Sequence, residues 1–160
     1  MLCKLRYLAL AAGLSACGGD QAQLEELLGT WYAPTPLIAD PCGWPRVRIE
    51  EMSIDYFLGT AKLSCHKVRD VSRTGAVFHI LVEELDAVPP GAVTESIVNN
   101  TPIPELNCDP NIGRAERRSL AQLRFELQES GLVASANSQE VLFSEPTGLA
   151  RYPSSCQPAR

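Results

Sequence analysis

A period of two, cut again and again by turn residues, is the feature that most limits what this chain can fold into. From Arg46, Val47 and Ile49 fall on one side of an extended chain and Arg46, Arg48 and Glu50 on the other. After Glu51 the phase moves by one, and Met52, Ile54 and Tyr56 carry the apolar side, which predicts a bulge or a break. Gly59 marks a turn, beyond which Ala61, Leu63 and Cys65 alternate with Lys62, Ser64 and His66. A second turn at Arg73-Thr74-Gly75 leads into a nearly continuous apolar strand over residues 76–82.

The same grammar extends to both ends. Asp20 and Gln23 sit in capping positions before Leu24, Leu27 and Leu28, which share one helical face, and Gly29 ends that short helix. Gly29-Thr30-Trp31-Tyr32 reads as a first strand, and four prolines make residues 33–45 a loop carrying Cys42 and Trp44. Prolines 89, 90, 102, 104 and 110 make residues 86–118 a long irregular segment, with room for a short helix over residues 93–98. Residues 114–128 fit helix and strand alike. The alternation of Leu123, Phe125 and Leu127 favours strand from Leu120, with a helical turn before it. Turns at Ser130-Gly131 and Asn137-Ser138 set off residues 132–134 and 141–143, and a last strand covers residues 149–152. About eight short strands after one short helix predict an all-β domain, a small antiparallel barrel or a sandwich.

Four of the six cysteines, Cys42, Cys65, Cys108 and Cys156, stand singly. Structural zinc sites need close pairs, so this spacing points to two disulfides, in any of three pairings, and to no metal. Disulfides imply an oxidising compartment, and the amino terminus agrees. Lys4 and Arg6 precede an apolar run over residues 7–14 that is shorter than the roughly 20 residues a membrane span requires.

Leu14-Ser15-Ala16-Cys17 closes that run and resembles the lipobox of bacterial lipoproteins. The resemblance implies cleavage before Cys17 and acylation of its thiol and new amino group. It divides the chain into a signal peptide (1–16), a lipidated tether (17–20) and a single disulfide-stapled β-domain (21–160). Gly18 stands where an Asp would imply retention at the inner membrane, so the resemblance implies the outer membrane, facing the periplasm. The formal net charge is −5, and loss of Lys4 and Arg6 makes the mature chain more acidic. That opposes nucleic-acid binding and leaves membrane attachment to the lipid on Cys17.

The short helix, the Gly-x-Trp of Gly29–Trp31 and the meander after it resemble lipocalin and wider calycin barrels. In that family the Trp closes one end of the barrel and a late Arg packs over it. The resemblance gives these roles to Trp31 and Arg151, and it implies an interior that holds a small apolar ligand. Ile54, Tyr56, Phe78 and Phe125 are the residues expected to line such a cavity.

Conventional catalytic groupings are weak here. His66 follows Cys65, but strand neighbours point to opposite faces. His79 and Glu83 share a face as a candidate acid–base couple, though a histidine inside an apolar strand is usually a core residue. Glu25-Glu26, Glu50-Glu51 and Glu83-Glu84 are adjacent only in sequence. Arg114, Arg117 and Arg118 form a basic patch beside the long segment, and Asn99 begins a formal glycosylation sequon. No phosphate loop, H-E-x-x-H or G-x-S-x-G occurs in the sequence. The expectation is a non-enzymatic binding module without cofactor. It takes either a small apolar ligand in a barrel or an envelope protein on the segment 86–118, as an envelope accessory factor or a hydrolase inhibitor.

Overall fold

The computed structural model describes residues 24–89, 91–109, 119–136 and 147–156. The expected signal segment, Cys17, Asp20, the basic patch expected at residues 114–118 and the strand expected at residues 141–143 lie outside them. So do the helical turn expected before Leu120 and the turn at Asn137-Ser138.

Eight antiparallel strands form a closed barrel in chain order. They are β1 (Gly29–Tyr32), β2 (Pro45–Ile49), β3 (Ser53–Leu58), β4 (Ala61–Thr74), β5 (Val77–Ala87), β6 (Leu120–Gln128), β7 (Gly131–Ala136) and β8 (Thr147–Arg151). Closure is made by β1, which pairs with β2 on one side and with β8 on the other through Trp31↔Arg151 and Tyr32↔Ala150. A closed ladder has no free edge, so the barrel alternative holds and the sandwich does not.

Register explains where the sequence alternation held and where it slipped. The phase change after Glu51 is the β2–β3 hairpin, in which Glu50 N–H donates to the Ser53 carbonyl at 2.9 Å. Met52, expected beside Ile54 and Tyr56, sits in that turn and is exposed. In β4 the register with β3 shifts between Tyr56 and Phe57, and the register with β5 shifts next to His66 and again after Val68. These bulges turn the apolar alternation over. Ser64 lies opposite Tyr56 and His66 opposite Ile54, so both face inward, whereas Cys65 faces outward opposite Asp55.

The core is one cluster inside the barrel, built from Val47 and Ile49 of β2, Phe78, Ile80 and Val82 of β5, Leu123 and Phe125 of β6, and their neighbours. Leu24 and Leu27 belong to it as well, carried by a helical turn in which Leu28 N–H donates to the Leu24 carbonyl at 3.2 Å. The one regular α-helix among the described residues, α1 (Ala92–Asn99), falls inside the proline-rich segment and ends on Asn100 in the left-handed conformation, φ 53°.

Candidate functional site

The described residues facing the barrel interior form a packed core. Ile54, Tyr56, Phe78 and Phe125 all belong to the core cluster, and none exposes more than 2% of its surface. Among the described residues these side chains pack as core, and close packing of this kind is the normal state of a small eight-stranded barrel. Burial pushes the Tyr56 phenol well above its ordinary pKa. His66 stands at the same level, its ring edge-on to Tyr56. Its Nδ1 lies 3.1 Å from the Ile54 carbonyl and its Nε2 lies 3.8 Å from the Glu84 carboxylate. Desolvation lowers the His66 pKa, against the smaller raising effects of the Ile54 carbonyl and Asp55.

The base is closed by an aromatic–cation pair. The Arg151 guanidinium lies 3.7 Å from the centre of the Trp31 ring. Its Nη1 and Nη2 donate to the carbonyls of Leu28 and Glu26 at 2.6 and 3.0 Å, and Trp31 Nε1 donates to the Leu27 carbonyl at 2.8 Å. Two side chains from opposite ends of the chain therefore cap the carbonyl end of the Leu24–Leu28 turn. Arg73 adds a clasp outside, pairing with Glu26 at 2.6 Å, and this holds the exposed Glu26 carboxyl below its usual pKa.

The cysteines pair as Cys42–Cys156 and Cys65–Cys108. The first ties the C-terminal end to the loop before β2, and the second ties the long segment to the outer face of β4. Among the described residues no group of three metal-ligating side chains comes together. His79 and Glu83 both face outward, but four residues along a strand set them about 13 Å apart. Glu83 is instead paired with Arg69. The Glu83-Glu84 pair splits across the wall, since Glu84 lies opposite the inward His66.

Two outer features remain. The strap of residues 101–109 is held at both ends. Thr101 N–H donates to the Ser96 carbonyl at 2.9 Å, Asn107 N–H donates to Asp86 Oδ2 at 2.8 Å, and Cys108 is bonded to Cys65. Between the strap and Thr60–Lys62 runs an open groove of about 670 Å³, lined by Ala61, Pro102, Ile103, Pro104 and Leu106, with Lys62 and Glu105 as its charged members. On the next stretch of wall, Arg46, Arg48 and Lys62 bring their charges to 5.0, 5.3 and 5.6 Å from the Phe57 ring centre. Beneath them Asp55 is buried and accepts from Arg48 at 3.0 Å and from Lys62 at 2.8 Å. Period-two reading placed Arg46 and Arg48 outward. It could not foresee Phe57 and Lys62 beside them, because that contact depends on cross-strand register.

No protein-family model matches this chain, and neither a curated protein nor a solved structure does.

Proposed function

We propose that this chain is a bacterial lipoprotein, anchored through acylated Cys17 in the outer membrane and facing the periplasm, that acts by contact with another envelope protein and not by catalysis. The observation that carries the reading is the contrast between a packed core and a braced outer strap. A barrel packed with its own side chains works as a rigid support, and function on such supports sits on the loops they hold. Here the loop is stapled at Cys65–Cys108, opens a groove and adjoins α1, whose Ile97 and Val98 are well exposed. Both the lipobox at residues 14–17 and the two disulfides suit an exported chain. Storage of a small apolar ligand within the barrel draws less support, because Ile54, Tyr56, Phe78 and Phe125 are packed as core.

Site-specific photocrosslinking in the native host tests this. A benzophenone side chain at Ile103 should give one discrete adduct that disappears when Ile97 and Val98 are both changed to Asp. The same probe at Leu81, exposed on β5 five residues from the strap-bonded Asp86, should give none. Absence of any adduct at Ile103 would refute the protein-contact reading. Radiolabelled fatty acid should enter the wild-type chain and be absent from Cys17→Ser.

A further inference from the structure

Arg46 has no carboxylate partner among the described residues, although its guanidinium is held in place. Its guanidinium is stacked between Phe57 and Tyr152, at 5.0 and 4.9 Å from the ring centres. Nη1 donates to Tyr152 Oη at 2.7 Å and to the Cys42 carbonyl at 3.4 Å. Its Nε and Nη2 make no hydrogen bond among the described residues, and the side chain is half-buried. That edge is the one on which a guanidinium takes a carboxylate through two parallel bonds. Two flanking rings and the anchored Nη1 hold it in place, so little side-chain entropy remains to be lost on binding.

Arg48 and Lys62 stand around the same Phe57 ring. They share Asp55, and Arg48 also reaches the exposed Glu50 at 3.2 Å. Around the Phe57 ring, three cations face two carboxylates and Arg46 is the one without an ion pair among the described residues, while Glu105 places a third carboxylate on the strap side of the groove. The chain as a whole is acidic, so this is a local positive field, felt within about 8 Å at physiological ionic strength. Lys62 belongs to both features, lining the groove and flanking Phe57. Apolar groove and cationic face are thus one continuous surface.

That surface has a backbone component too. Pairing of β4 with β5 begins at Ser64↔Ala87, so on the β5 side the ladder stops short of Ala61 and Lys62, the residues that line the groove. Across from them the strap presents Pro102 and Pro104, which carry no N–H. An extended peptide meets strand backbone on one wall and apolar rings on the other, the arrangement used when a strand is added at a sheet edge.

We infer that the partner presents an extended segment of apolar residues next to acidic ones. Its apolar side chains lie against Ile103 and Leu106, and a carboxylate docks on the Nε/Nη2 edge of Arg46. This rests on the protein-contact reading above and gives that partner its chemistry.

The test uses residues 18–160 with both disulfides formed and a fluorescein-labelled octapeptide of alternating leucine and glutamate. Fluorescence anisotropy at low salt should show saturable binding that weakens as salt is added. Arg46→Gln should weaken it by about 10-fold, in keeping with loss of a charge-assisted pair. Arg124→Gln, on β6, should leave it unchanged. A leucine–lysine octapeptide should not bind. Since Arg46 also braces Tyr152, the wild-type protein supplies a second readout: the Arg46 Nε–H resonance should shift on addition of the acidic peptide. Equal binding of the two peptides, or an unmoved Arg46 resonance while the acidic peptide binds, would overturn the inference. Binding to phosphatidylglycerol vesicles but not to the peptide would also overturn it, in favour of a lipid surface. A crosslink at Ile103 that persists in Arg46→Gln would remove the acidic partner and leave the protein-contact reading standing.

Discussion

Arg151 illustrates how much one side chain does in this barrel. It lies over Trp31, donates to two carbonyls of the N-terminal turn and sits on the strand that closes the sheet against β1. Arg151→Ala should cost about 1–3 kcal/mol, from the lost cation–π contact and two charge-assisted hydrogen bonds. Trp31→Ala should cost about 3–5 kcal/mol, as deletion of a large buried ring usually does. Urea denaturation of both variants checks the order. Lys at position 151 should recover only part of the loss, because an ammonium cannot stack and fork at once. His66 gives the pH dependence. Its folded pKa is lowered, so the unfolded chain takes up a proton first as pH falls below about 6.5. Stability should therefore be constant above that value and decline below it, with Glu84 and Tyr56 as the ionisable groups facing the ring and the Asp55 charge acting through the wall. His66→Gln should flatten that part of the profile. A slope that persists in the variant would assign it to another group.

At the scale of elements, the strap and β4 depend on each other. Prolines fix parts of the strap but give it no ladder of its own, so Cys65–Cys108 and the Asp86 hydrogen bond hold it to the wall. Replacing Cys65 and Cys108 together by Ser should lower stability by about 2–4 kcal/mol while preserving the far-ultraviolet spectrum of the barrel. The groove should then lose its shape, and the crosslink at Ile103 should fade even though Ile103 is unchanged. The β6–β7 hairpin carries a different constraint. Gly131 has φ +139°, and a Cβ there would run into the Leu149 carbonyl of β8. Gly131→Ala should destabilise by more than the roughly 1 kcal/mol of an ordinary glycine effect, since both the backbone conformation and the approach of β8 resist it. Thermal unfolding measures this directly.

Over the whole molecule, closure is the organising fact. Every strand pairs on both sides along the chain order, so no strand is left as a full-length edge, although the start of β4 extends past its β5 partner. The Cys42–Cys156 bond spans 114 residues and locks the last described turn to the loop before β2, close to the seam where β8 meets β1. Peptide mapping of unreduced protein should recover only the 42–156 and 65–108 linkages. Any other pairing would be incompatible with this register. Hydrogen exchange should be slowest in β5 and its partners β4 and β6, and faster in α1, whose outer face is open to solvent.

The sequence by itself determined an all-β fold of about eight short strands and the parity of most of them, and left barrel and sandwich both open. Period-two patterning and turn residues are local, and each strand carries its own copy of the signal. Leu120, chosen as the start of a strand against competing helical spacing, begins β6 because the alternation of Leu123 and Phe125 met an empty place on the barrel wall beside Phe78 and Ile80. Four single cysteines also fixed that two disulfides would form, but not which. Pairing depends on which side of β4 Cys65 faces, and bulges set that, a shift of one residue that no local pattern encodes. The same shift carried His66 inside and left Lys62 beside Phe57. Tertiary structure alone also decided that Ile54, Tyr56, Phe78 and Phe125 would pack together as core. Whether a barrel keeps a cavity depends on how side chains from all its strands share one volume, and volume is a property of the assembled wall.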